Sequence, residues 1–426
     1  MGKIIKKNKG VRPLLGEKHI WLPYTQMKNH LPQLEVKTAK GSKIFLKDGS
    51  VLIDGIASWW SVAHGYNHPH IISEIIKQAK LLPHVMLAGM ANETTYKLAH
   101  RLCKFSAMDR VFFSDSGSTA IEVAMKIAWQ LHINSGNSGE KNKTKFISFK
   151  NSYHGDTTGA MSLADMSDGM HQKFEKLLLK NFSLQLPQNK NDLKKFEQFI
   201  VKNKTILAGI FIEPLVQCAG GMRFHEAKIL HEIFTIAKKH QVIFIADECA
   251  VGFYRTGKKF AFNHAKIQPD ILVLGKALTG GTMTLAATLV TKKIFEKFSG
   301  NSLDLALMHG PTFMGNALAC AAANASLDLF EKENYEQKTL EIEKILKTEL
   351  EKCRNLKGVK DVRSFGAIGV VEISADRKKI ISLRKKFIAA GIFLRPFGDC
   401  IYIMPALTIK KSELKKITNS IFKILS

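Results

Sequence analysis

The chain has 426 residues, 45% hydrophobic and 23% charged, the balance of a soluble globular protein with room for two or three domains. No apolar stretch approaches the roughly 20 residues of a membrane span, and the basic N-terminus lacks the apolar core and cleavage site of a secretory signal. The net charge of +26 is spread along the whole chain, with no basic run interleaved with aromatics and no zinc or helix-turn-helix spacing. Anionic small molecules are therefore the expected partners, rather than nucleic acid.

Residues 1–20 read as a loose tail ahead of Trp21-Leu22-Pro23-Tyr24. Residues 43–54 read as a hairpin, with Asp48-Gly49 as the turn between two alternating runs. From about residue 70 to 320, strand-like runs at 111–113, 146–149, 206–212, 242–246, 271–274 and 286–290 alternate with helical stretches. That alternation predicts an α/β fold, a mostly parallel sheet covered by helices. The polar stretch 134–144 reads as a surface loop. Residues 332–353 carry charges at helical spacing and lead into a C-terminal α+β unit. The expected organisation is an N-terminal segment (1–65) contributing to a small domain and to the active site, a large domain (66–330) and a C-terminal small domain (331–426). Cys103, Cys218, Cys249, Cys320, Cys353 and Cys400 show neither C-x-x-C nor metal-ligand spacing. They suit reduced thiols in a cytoplasm, with no metal expected.

The run at 242–246 ends on Asp247, and the run at 271–274 is followed by Gly275-Lys276. In open α/β sheets chemistry gathers at the carboxyl ends of strands. A lysine and an aspartate there are what pyridoxal phosphate (PLP) needs: the amine forms a Schiff base and the carboxylate keeps the pyridine nitrogen protonated. Upstream, Ser114-Asp115-Ser116-Gly117-Ser118-Thr119 joins a strand to a helix, a setting that suits a phosphate. An ordinary N-cap would read the same, and the Asp and Lys downstream favour the phosphate. In Tyr153-His154-Gly155-Asp156 the tyrosine offers a flat ring to a cofactor, and His154 reads as its structural neighbour. In His309-Gly310-Pro311-Thr312 a hydroxyl and backbone amides offer further phosphate contacts, or simply a turn leading into a helix. Arg395, in an apolar segment, suits either a substrate carboxylate or a structural ion pair; for Arg255 the ion pair is the stronger reading.

Asp247-Glu248, Gly252-Phe253, Arg255-Thr256-Gly257, Pro269-Asp270-Ile271 and Lys276-Ala277-Leu278 together resemble the class-III aminotransferase signature of fold-type I PLP enzymes. The phrases at 23–27, 58–69, 153–156, 276–285 and 309–316 are similar to the biotin-synthesis branch of that family, so the resemblance spans residues 20 to about 410. It implies a homodimer in which Lys276 holds PLP, Asp247 pairs with its ring nitrogen, and Gly117 and Ser118 cradle its phosphate. Pro311 and Thr312 would reach that phosphate from the partner subunit, and Tyr153 would stack on the ring. Trp59, Gly310 and Arg395 would line the substrate site, with Arg395 on a carboxylate and Tyr24 facing both substrates. The implied reaction is transfer of an amino group from S-adenosylmethionine to 8-amino-7-oxononanoate. The alternative is another class-III enzyme using an ornithine, 4-aminobutyrate or lysine donor. Two positions depart from the family pattern: Cys249 stands where Val or Ile is common, and Tyr254 replaces a glycine beside Arg255, which weakens any role for that arginine.

Overall fold

Short runs of Val, Ile and Phe favour extended backbone where both faces of a sheet are covered, and those of the central segment all become strands. The computed structural model describes residues 14–136, 142–165 and 171–426. Most of the expected N-terminal tail (1–13) and the middle of the expected loop (137–141) lie outside the described residues.

The strands used below are β1 (Val36–Lys40), β2 (Lys43–Leu46), β3 (Val51–Asp54), β4 (Arg110–Ser114), β5 (Lys145–Phe149), β6 (Phe182–Leu184), β7 (Leu207–Ile212), β8 (Ile243–Asp247), β9 (Ile271–Leu274) and β10 (Ala286–Val290). The C-terminal part adds β11 (Val359–Phe365), β12 (Ile368–Ile373), β13 (Ile392–Phe393) and β14 (Cys400–Ile403). The large sheet runs β4-β10-β9-β8-β7-β5-β6. All its pairings are parallel except those of β10, which is antiparallel to both neighbours. The reason lies in the connection: residues 275–285 hold only a 3-10 turn, Lys276–Thr279, too little for the helical crossover that a parallel return needs.

Helix α1 (Gly117–Asn134) lies on one face of this sheet, where Ala120, Ala124 and Ala128 pack with Ile245, Val273 and Ala286. The opposite face is closed by a larger core that includes the alanine-rich helix α2 (Ala317–Lys332). The charged stretch expected to be helical forms α3 (Tyr335–Glu351).

Outside the large sheet, β11, β12 and β14 form an antiparallel sheet, and β13 joins the N-terminal sheet in the order β1-β2-β3-β13. β13 is parallel to β3, with Ile392 opposite Ile53 and Phe393 opposite Asp54. Just beyond β3 the chain makes a turn that no periodicity announces. Ala57, Ser58, Trp59 and Trp60 have φ of 46°, 48°, 55° and 75°, four consecutive non-glycine residues in the left-handed region. Such backbone costs about 1–2 kcal/mol per residue.

Candidate active site

Strand register brings the first two groups together. Asp247, the last residue of β8, pairs with Val273 of β9, so Lys276 leaves its strand beside it. Both line a cavity of about 200 Å³ with Gly117, Ser118, Tyr153 and Trp60. Lys276 itself has φ 42°, and its amine lies 5.4 Å from the centre of the Trp60 ring. Trp60 is buried and also forms a wall of the cavity.

Asp247 is buried and fully engaged. One carboxylate oxygen takes a hydrogen bond from the Cys249 N–H at 3.0 Å, and the other lies 2.8 Å from His154 Nδ1. Burial opposes charge on Asp247, yet the His154 hydrogen bond and the charges of His154 and Lys276 hold its pKa below the usual carboxylate value. Burial likewise opposes charge on His154, but Asp247, with Glu213 behind it, pushes the imidazole pKa up. Glu213 is driven up to about 7 by burial, moderated by His154. Its oxygens accept from the N–H groups of Tyr153 (3.1 Å) and Cys218 (3.2 Å). The outcome is a buried carboxylate, Asp247, held by the His154 ring and lining the cavity.

The helix start combines both readings of its sequence. Ser116 is the N-cap, accepting from the Thr119 N–H at 3.3 Å, while Gly117 and Ser118 open into the cavity. Space there is tight. A Cβ on Gly117 would sit 3.2 Å from Cys249 Sγ, and one on Gly155 would sit 2.3 Å from Ser118 Cβ. Cys249 thus fills the slot as a small apolar group, and its burial raises the thiol pKa well above the ordinary value. A free helix N-terminus, a buried anion, an amine and an aromatic ring around a glycine-lined cradle fit PLP. Ser118 and Gly117 would hold its phosphate, Asp247 its ring nitrogen and Lys276 its aldehyde carbon.

At the mouth, the Arg395 guanidinium lies 4.6 Å over the Trp59 ring, and Tyr24 meets Trp59 edge-on at 6.3 Å. Among the described residues Arg395 forms no ion pair, which leaves its charge for a ligand. The Tyr24 hydroxyl donates to Asp156 and lies 3.3 Å from the Tyr153 hydroxyl. Asp156 Oδ1 lies 2.9 Å from His171 Nε2, and the His171 ring stacks on Tyr153 at 5.6 Å. Asp156, His171 and Glu213 are site residues that sequence reasoning missed. Glu213 follows β7 just as Asp247 closes β8, so the strand-end rule points to it as well.

Two expectations need correction or relocation. Arg255 is fully buried and forms no ion pair among the described residues; it donates to the carbonyls of Pro405 (2.6 Å) and Ala367 (3.5 Å). Its job is to tie backbone segments together. Gly310, Pro311 and Thr312 do not line the cavity of their own chain. They sit on a loop against residues 83–87, with His84 Nε2 3.1 Å from the Thr312 carbonyl. Met86, Met90, Met308 and Phe313 of these two segments are exposed.

The sequence profile of the family described as Aminotransferase class-III matches residues 24–425. The chain belongs to the class-III aminotransferase family. Among relatives of this aminotransferase is the adenosylmethionine-8-amino-7-oxononanoate aminotransferase of Buchnera aphidicola subsp. Schizaphis graminum, 43% identical over 96% of this chain and 95% of its own length. The enzyme of that name from Saccharomyces cerevisiae is 37% identical over 96% and 94%. In solved structures, the chain resembles the adenosylmethionine-8-amino-7-oxononanoate aminotransferase of Methanocaldococcus jannaschii, with a TM-score of 0.90, 33% identity and coverage of 96% and 97%. An omega transaminase from Pseudomonas jessenii in complex with PMP superposes with a TM-score of 0.87 at 27% identity, covering 95% of each chain. No helix among the described residues of this aminotransferase is long and apolar enough to cross a membrane.

Proposed function

We propose that this aminotransferase moves the amino group of S-adenosylmethionine to C7 of 8-amino-7-oxononanoate, giving 7,8-diaminononanoate in biotin synthesis, with PLP as cofactor. Beyond the likeness to enzymes of that name, one observation carries the substrate choice: Arg395, without an ion-pair partner among the described residues, is faced by Trp59, which Tyr24 meets edge-on. An apolar chain ending in a carboxylate wants aromatic walls and one guanidinium at the far end.

When bound, PLP supplies an electron sink for the carbon that loses its proton. The rest is done by side chains. Lys276 anchors the cofactor and, once released, holds and moves the proton at the nitrogen-bearing carbon. Asp247, kept anionic by His154, stabilises positive charge at the ring nitrogen. Arg395 orients the acceptor by its carboxylate, and Tyr24 stacks on the donor's adenine. The Tyr24–Asp156–His171 chain fixes the tyrosine against the cavity. Donor and acceptor take turns in one pocket, so the kinetics are ping-pong.

The working unit is a homodimer in the cytoplasm. Its subunits cover each other's exposed Met86, Met90, Met308 and Phe313, and Thr312 completes the phosphate site of the neighbour. Amine transfer by the purified protein, with S-adenosylmethionine, lysine and 4-aminobutyrate compared as donors, tests the reading. Turnover with lysine or 4-aminobutyrate and none with S-adenosylmethionine refutes the donor. Rescue of a biotin auxotroph lacking this step, run beside Lys276→Ala, tests the pathway and the anchor together.

A further inference from the structure

The left-handed turn at residues 57–60 needs a cause. Elsewhere among the described residues, left-handed non-glycine backbone comes singly or as one pair, Phe253 and Tyr254. Four in succession persist only where the surroundings over-determine them. Here one carboxylate supplies much of that determination. Asp54, the last residue of β3, is 1% exposed. Its Oδ1 accepts from the Ile56 N–H at 2.8 Å, and its Oδ2 accepts from the Ser58 N–H at 3.0 Å and the Tyr66 hydroxyl at 2.7 Å. Asp54 forms no ion pair among the described residues. A buried carboxylate without a counter-charge is expensive to keep, so its three hydrogen bonds have to hold something of use.

What they hold is the placement of Trp59. Its ring lies face-on to Arg395, 4.6 Å away. Asp54 also stands opposite Phe393 in the β3–β13 pairing, and the Gly55 N–H donates to the Phe393 carbonyl at 3.0 Å. Arg395 follows two residues later. Turn and arginine therefore leave from the same step of the small sheet, one on each strand. The neighbouring Trp60 has separate support, packing edge-on against Tyr402 at 6.1 Å, so the cavity wall beside Lys276 depends less on the clamp.

We propose that Asp54 is a positioning residue for the carboxylate end of the substrate pocket, locking the left-handed turn so that Trp59 stays stacked on Arg395. The inference rests on the reading of Arg395 as the carboxylate grip. Without the clamp the turn relaxes, Trp59 leaves the guanidinium, and Arg395 loses the orientation that favours a charged substrate end over a neutral one.

The test compares binding of 8-amino-7-oxononanoate and its methyl ester to the holoenzyme by calorimetry, in wild type, Asp54→Asn and Tyr66→Phe. A charge-assisted grip favours the acid over the ester by about tenfold or more. Asp54→Asn, isosteric but short of acceptors, should lose most of that preference while the ester binds as before. Tyr66→Phe removes one of the three bonds and leaves both backbone bonds in place, so it should lose only part of that preference, about two- to threefold; it decides the matter alone if Asp54→Asn does not fold. A residue that merely stabilised the fold would lower the Tm and leave the acid-to-ester ratio unchanged, and that result in the folded variants overturns this inference only. A wild type that binds acid and ester equally overturns the Arg395 reading, and the inference with it.

Discussion

Gly155→Ala is the substitution that most directly probes how the cofactor cradle is built. Gly155 has φ +126°, a conformation that L side chains rarely adopt. Its added methyl would lie 2.3 Å from Ser118 Cβ and 2.8 Å from Ser118 Cα, so the obstacle is helix backbone rather than a side chain that can swing away. Backbone strain of about 1–3 kcal/mol and overpacking of about 1–3 kcal/mol add to roughly 2–6 kcal/mol. Relief requires the 153–156 loop and the start of α1 to part by about 1 Å, a displacement that can cost on the order of 100-fold in rate when it moves reacting groups. Thermal melting of the apoprotein reads the first quantity, and cofactor retention with steady-state transamination reads the second. The Tm should drop by several degrees, and PLP should be held weakly. A Gly155→Ala enzyme with wild-type Tm and full cofactor content would refute the argument that the two segments are in hard contact.

Tyr24→Phe removes the hydroxyl that reaches Asp156 and Tyr153 while keeping the ring against Trp59; kcat/KM should fall by about 10-fold for one lost charge-assisted hydrogen bond, measured in both half-reactions. His154→Phe leaves Asp247 without its backing charge, so the Asp247 pKa should rise and the activity profile should lose its acid limb to higher pH, read from kcat against pH. Burial drives the Glu248 carboxyl up to about 8 from an ordinary 4.5. A raised acid pKa gives stability that is complete below the unfolded value and lost as pH climbs through the folded one. The Tm should therefore decline between about pH 4.5 and 8, and Glu248→Gln should flatten that decline even though it disturbs the bonds from Ala261 and Phe262. Phe313→Asp places a charge on the exposed apolar loop; light scattering should then find monomer, with PLP lost from a folded chain.

Much of the fold was legible because it follows from local pattern. The runs at 111–113, 146–149 and 271–274 were legible through their branched and aromatic residues and lie within strands of the large sheet, and the run at 242–246 joins its strand from Ile243 onward. Asp247 and Lys276 stood out because strand ends are where such sheets do chemistry. The short link at 275–285 also carries the reversed direction of β10 in its length, which is too small for a helical crossover. Other features were illegible for a physical reason. Nothing in Ser58, Trp59 or Trp60 favours positive φ; Asp54 and the surrounding packing impose it. Asp156, His171 and Tyr24 meet only once the chain is folded, since their partners lie far apart in sequence. Arg255 looks like an ion-pairing residue by composition, and only burial against the carbonyls of Ala367 and Pro405 shows otherwise.

The pairing of β3 with β13 has a consequence for the order in which the molecule is made. Ile53 waits for Ile392 as its neighbour, whereas the central sheet draws on strands from Arg110 to Val290 and is complete much earlier in synthesis. Closing so long a loop is slow. A nascent chain should therefore possess Lys276 and Asp247 on a formed sheet before it possesses the Trp59–Arg395 mouth. The birth of the enzyme would run from cofactor floor to substrate door, with selectivity arriving after the cofactor site.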